Sequence, residues 1–178
     1  MRVDPVVSSL LGLGLGGIFI VGAVPKLKTH DLFVEIVQAY GLLPIPIVAV
    51  TAFLIAVMEF VVGIGLILPI TRAVAAQFGL MLLAVVTVAV IVNLLRGKSE
   101  LPCGCGGASA DQHLSWTLVG RNGLLACLIG VLLLPINVRE MTILDYGTTA
   151  IGAGLLFGLY AALNQLLANA PRIASLEF

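Results

Sequence analysis

Charge is scarce in this chain: acidic and basic side chains make up 10% of its 178 residues and cancel to a formal net charge of zero. That balance excludes a basic footprint for nucleic acid. Aromatic residues are sparse, at 6%, and only three cysteines occur. No Cys, His or Asp set stands at the four-ligand spacing of a closed structural zinc site. Solenoid-period repeats, low-complexity runs and long linkers are absent too, so residues 1–178 read as one domain. What remains is hydrocarbon, with 60% hydrophobic residues and a mean hydropathy of +1.17. Apolar stretches of about 20 residues, each able to cross a hydrocarbon layer of roughly 30 Å as a helix, define an integral membrane protein.

Five spans are expected, at about residues 6–24, 45–68, 73–95, 116–135 and 148–167. Backbone groups in lipid must pair within the helix, so the fold class is an all-α polytopic bundle. The first span exceeds the roughly 7–15 apolar residues of a signal-peptide core, carries Asp4 beside Arg2, and ends in GAVPKLK without a small-x-small cleavage site, which argues against a signal peptide. After Pro25, Leu32, Ile36 and Val37 recur at helical spacing in a segment too charged to span. It reads as an amphipathic helix at the interface, with Tyr40 as its anchor. Trp116 reads as a belt residue. Gly12 and Gly16 in the first span, and Gly154 and Gly158 in the last, form GxxxG faces suited to helix association. Across five spans Arg2, Arg72 and Arg139 share one side, and Lys26, Lys28, Arg96, Lys98, Arg121 and Arg172 the other, which holds the cysteine loop. Lys26 and Arg121 lie at helix ends where they can point inward, so the charge count does not decide sidedness.

Against this background the loop LPCGCGGAS is conspicuous. A disulfide between Cys103 and Cys105 would close a small, strained ring, and strain makes a bridge more oxidising. Glycines at 104, 106 and 107 supply the backbone freedom such a ring demands. Arg96, Lys98 and His113 are near enough in sequence to raise the thiolate fraction. The spacing suits a redox dithiol that cycles. Two other readings stand beside it: thiolates capturing a soft metal, with His113 as third ligand, and two inert small residues. Cys127, in the fourth span, reads as a small apolar residue.

Glu59, in the middle of the second span, is the costliest residue in the chain, since a mid-helix charge carries an insertion penalty of roughly 2.5–3.5 kcal/mol. Lys26 and Arg121 are its candidate partners. The group reads either as an ion pair that fixes helix register or as a polar functional site. Asn93 fits a helix-to-helix hydrogen bond as well as a ligand contact.

Taken in order, GAVPKLK, YGLLP, MEFVVGIGLIL, LLRGKSELPCGCGG and LSWTLVGRNGLLA resemble the MauE branch of the DoxX-like membrane proteins, named for methylamine utilisation. The resemblance runs from about residue 16 to 127. It implies a four-helix core with an added C-terminal transmembrane helix, in the bacterial inner membrane, associated with thiol redox chemistry and the maturation of a disulfide-rich periplasmic dehydrogenase subunit. Cys103 and Cys105 would then act as a thiol-disulfide oxidoreductase, exchanging electrons with a thioredoxin-like partner or a substrate protein. The bundle would pass electrons to quinone, with Glu59 as proton relay and Lys26 and Arg121 as its partners or as quinone contacts. Rival readings are a heavy-metal-handling protein using the same dithiol, and a noncatalytic membrane subunit of a larger redox complex.

Overall fold

The computed structural model describes residues 2–104, 113–137 and 139–174. Six helices follow in order: α1 (Pro5–Lys28), α2 (His30–Ala39), α3 (Ile45–Ile67), α4 (Arg72–Leu95), α5 (Trp116–Val131) and α6 (Ile143–Ala174). The protein is a multi-pass helical membrane bundle. Four of its helices, α1, α3, α4 and α6, have the length and hydropathy to cross a membrane.

The boundaries depart from the sequence-based spans for local reasons. Helix α1 continues past residue 24 through Pro25 to Lys28, and its last turn carries Lys26 and Lys28, where positive charge suits the negative end of the helix dipole. At the other end Asp4 caps it, accepting from the Val6 amide at 2.9 Å with Pro5 in the first turn. Helix α5 stops at Val131 rather than Pro135. Its 16 residues rise about 24 Å, short of a roughly 30 Å core. Helix α6 begins five residues before the expected start, at Ile143.

Helix α1 is the hub, packing against α2, α3, α5 and α6. The main core joins its Leu11, Leu15, Ile18 and Phe19 to Val62 and Leu66 of α3, Ala75 and Ala76 of α4, and Leu125 and Ile129 of α5. The GxxxG face of Gly12 and Gly16 is used inside the chain: a Cβ on Gly16 would lie 2.6 Å from the Gly63 carbonyl, and one on Gly12 would lie 2.6 Å from the Leu66 carbonyl. Gly12 also makes room for Arg72. That side chain is buried and donates to the Leu66 carbonyl (3.0 Å), the Ile67 carbonyl (3.2 Å) and Ser8 Oγ (3.1 Å), covering carbonyls that α3 leaves without helical donors. Gly154 and Gly158 have open space above them, while Gly152 is the α6 glycine pressed against α1, at Leu10.

At the end of the bundle where α1 begins, Val3 exchanges backbone hydrogen bonds with Pro135 and Asn137, both at 2.9 Å. Arg139 bridges Asp4 and Asp145. Its guanidinium holds the Asp4 carboxyl below the ordinary range, with help from the Val6 amide, so the clamp is fully charged at neutral pH.

Because the α1/α3 interface has no room for side chains at its glycines, Gly16→Val should lose roughly 1–3 kcal/mol by overpacking. Gly158→Val, which meets nothing within 4 Å, should leave stability unchanged. Thermal unfolding of both variants in the same detergent measures the difference.

Candidate functional site: a cysteine seat, a cavity and a buried ion pair

Helix α2 packs back against the bundle. In α1 and α3, Gly12 faces Leu66, Gly16 faces Gly63 and Gly22 faces Glu59, so α1 ends while the first turns of α3 still continue. Helix α2 turns back over that uncovered stretch, where His30 meets Phe53 edge-on with ring centroids 5.9 Å apart. Its inward face is Phe33, Ile36, Val37 and Tyr40, and Leu32 is exposed at 42%. The expected period was right, and its phase is one residue later than Leu32 indicated.

This inward face seats the cysteine loop. Tyr40 is buried and donates from its hydroxyl to the Cys103 carbonyl at 3.1 Å, so it anchors the loop rather than the membrane interface. Cys103 is 5% exposed, packed with Val90 of α4 and with Leu114 and Leu118. Gly104 adopts a φ of +66°, which favours glycine, and a Cβ there would press on Ile36 and Phe33 at 3.2 and 3.3 Å. The Leu114 amide donates to the Leu101 carbonyl at 3.0 Å, and His113 donates from Nδ1 to the Glu100 carbonyl at 2.9 Å. His113 is therefore an exposed residue that ties the loop's base. Cys105 lies outside the described residues. Among the described residues no three His, Cys, Asp or Glu side chains converge to hold a metal ion. Cys127 is exposed on the outer face of α5, away from this seat.

Below the seat lies a cavity of about 370 Å³. Its walls are apolar side chains of α2, α3 and α4, with Cys103 and Gly104 contributed by the loop and Lys26 by the end of α1. A second, smaller pocket of about 50 Å³ adjoins it, with mostly apolar walls from α1, α3, α4 and α5 into which Lys26, Glu59, Arg121, Asn122 and Tyr160 bring polar groups. Lys26, Ile55 and Val86 belong to both linings. The smaller pocket has room for ordered water beside those polar groups, since a water needs about 10–15 Å³ and several polar partners.

Lys26, buried, and Glu59, partly buried, form an ion pair, Nζ donating to Oε2. Gly22 makes the space for that carboxylate, since a Cβ there would sit 2.9 Å from Glu59 Oε1. The Lys26 ammonium also lies 5.5 Å from the centre of the Phe33 ring. Arg121 shares the pocket and donates to Asn164 Oδ1 at 2.6 Å and Asn122 Oδ1 at 3.4 Å, with its guanidinium 5.8 Å from the centre of the Tyr160 ring. Asn122 donates in turn to Thr87 Oγ1 at 3.1 Å. Sequence reasoning missed Thr87, Asn122, Tyr160 and Asn164. Polar residues four apart on α6 (Tyr160 and Asn164) and beside Arg121 on α5 were the available signal. Asn93 is fully buried and donates to the Ala89 carbonyl of its own helix at 3.0 Å.

The sequence profile of one family, described as Methylamine utilisation protein MauE, matches residues 4–135. Among relatives, the methylamine utilization protein MauE of Paracoccus versutus is 32% identical over 98% of this chain and 96% of its own length. The Paracoccus denitrificans protein of the same name is 31% identical over 94% and 88%, and that of Methylorubrum extorquens 33% identical over 69% and 66%. No solved structure matches the chain.

If the ion pair holds α1 to α3, breaking it from one side should cost much more than removing it whole. Glu59→Leu leaves a buried ammonium without its carboxylate and should lose about 3–5 kcal/mol, whereas Lys26→Met combined with Glu59→Leu should recover most of that loss. Denaturant titration of the four members of this double-mutant cycle in mixed micelles reads the coupling.

Proposed function

The chain belongs to the methylamine utilisation protein MauE family, and from that membership together with the seat of Cys103 we propose that it is a thiol-redox accessory of methylamine utilisation. In this reading it works in the bacterial inner membrane. Cys103 and Cys105 exchange electrons with a thioredoxin-like or substrate protein and so support disulfide formation in a maturing redox enzyme. The observation that carries the proposal is the cradle around Cys103: Tyr40 on its carbonyl, Gly104 against Phe33 and Ile36, and a hydrogen-bonded base at Leu101 and Leu114. These contacts fix the backbone on both sides of the thiol, which holds its sulfur at one place against α2 and α4.

The exchange balances as two substitutions at sulfur. A client thiolate attacks the loop disulfide, forming a mixed disulfide and releasing one loop cysteine as thiolate. The client's second thiolate then displaces the other loop cysteine, so the client leaves oxidised and Cys103 and Cys105 are left as a dithiol. Returning the loop to its disulfide requires an acceptor for two electrons and two protons.

The test is thiol trapping in cells carrying a Cys127→Ala background: cells are quenched with acid and the denatured protein is alkylated with a maleimide, with and without prior reduction, so that Cys103, 5% exposed in the fold, is reached. Labelling of Cys103 and Cys105 only after reduction is the expected result, and the Cys103→Ser, Cys105→Ser variant should lose growth on methylamine as sole nitrogen source. Labelling without reduction would favour capture of a thiophilic metal. Normal growth of the double variant would favour a noncatalytic membrane subunit.

A further inference from the structure

We infer that the cavity of about 370 Å³ beneath the cysteine seat holds one acyl chain of a membrane phospholipid, whose phosphate rests on Lys98 at the rim. The inference stands apart from the dithiol reading and involves no thiol chemistry.

The cavity offers water little. Lys26, Tyr40, Thr51 and Cys103 are the lining residues with polar side chains. The Lys26 ammonium is held by Glu59, the Tyr40 hydroxyl by the Cys103 carbonyl, and Thr51 Oγ1 donates to the Ile47 carbonyl at 2.9 Å. A buried water needs several polar partners, whereas an apolar cavity of even about 150 Å³ stays dry and accepts a hydrocarbon.

The space also opens where hydrocarbon is. A shallower depression of about 150 Å³ on the seam between α3 and α4 shares Thr51, Ile55 and Val85 with the cavity and continues it to Met58 and Phe78. Val85 and Val88 line the cavity and are 57% and 58% exposed on the outer face of α4, so the seam belongs to the surface that lipid covers. Val92 and Phe78 mark the ends of this furrow on α4, fourteen residues apart, or about 21 Å of helix. One leaflet contributes about 15 Å of hydrocarbon, so the furrow takes a chain descending from the interface to the midplane.

The rim carries the charge that a phosphate requires. In the turn after α2, Gly41 has a φ of +63°, which favours glycine, and a Cβ there would lie 3.7 Å from Lys98 Nζ. The next two residues, Leu42 and Leu43, line the cavity. Lys98 is exposed and stands three residues beyond the end of α4, at the level where a headgroup precedes its chain into the membrane. Lys26, the cation deeper in, is neutralised by Glu59 and takes no headgroup.

Photolabelling tests this directly. Purified protein in phosphatidylcholine nanodiscs receives a trace of phosphatidylglycerol with a diazirine on its acyl chain, and labelled peptides are mapped by mass spectrometry after irradiation. Label on the furrow-lining segments of α3 and α4 should exceed that on the exposed face of α6, which measures ordinary bilayer contact. Ala89→Phe, which fills the cavity, should remove the excess and leave the α6 label unchanged. Lys98→Gln, an exposed loop substitution, should cut the excess about fivefold, the worth of one lysine at an anionic lipid surface, and Lys98→Arg should retain it. Label spread evenly over α3, α4 and α6, or an excess undiminished in Ala89→Phe, would overturn the inference. An excess indifferent to Lys98→Gln would overturn it as well, since a chain without a phosphate would then account for the label. If Ala89→Phe does not fold, the Lys98→Gln and Lys98→Arg pair decides alone.

Discussion

One ion pair sets the terms for the rest of this molecule. An ammonium and a carboxylate inside a membrane bundle each cost several kcal/mol to desolvate, and that cost is offset only when they meet in good geometry. For Lys26 to reach Glu59, the last turn of α1 must lie against the middle of α3, and Gly22 must be small enough to admit the carboxylate. The chain therefore leaves the α1 track before α3 has reached its own beginning. The gap so created is roofed by α2 and becomes the apolar cavity, and the roof is also the seat of Cys103. Cavity and cysteine seat are thus consequences of where one pair of charges meets.

A second constraint acts at the other end of the same helix pair. Close approach of α1 and α3 depends on glycine facing backbone at Gly12 and Gly16, and the carbonyls exposed where α3 stops are met by Arg72. In lipid such carbonyls have no water to fall back on, so a buried guanidinium with several donors is an economical cap. The ion pair and the arginine cap together hold α1 to α3 near both ends of their contact. That rigidity is what lets a large space persist beside them.

Much of this was legible in the residues. Membrane spans follow from length and hydropathy, and an acidic side chain in the middle of MEFVVGIG announces that something must neutralise it, with Lys26 as a candidate at the right helix end. The misreadings share one cause. Pro25 argued for ending α1 early, yet the helix runs through it because the following turn is held by the Lys26 contact and by tertiary packing. Tyr40 resembled an interfacial anchor because its hydroxyl partner is a carbonyl 63 residues away, which no local pattern reveals. Arg72 entered only the charge count, because its role depends on Gly12 facing it. The polar set of Thr87, Asn122, Tyr160 and Asn164 draws on three helices, and each member alone is an ordinary residue in a span. Sequence periodicity reports which face is apolar; it does not report which of several neighbours that face will meet.

The seam between Val3 and Pro135–Asn137, with Arg139 across Asp4 and Asp145, ties the start of α1 to the link between α5 and α6. Helix α1 also waits for α6, whose Leu156 packs over Gly14 and whose Gly152 receives Leu10. Until α6 is in place, α1 therefore has one flank bare. Assembly of such a bundle is governed by its longest sequence separations, as slow folding in high-contact-order domains is. A chain interrupted after α5 would retain the ion pair and the cysteine seat, but it would expose to lipid the flank of α1 that α6 covers, so docking of α6 is the step that seals α1 within the bundle.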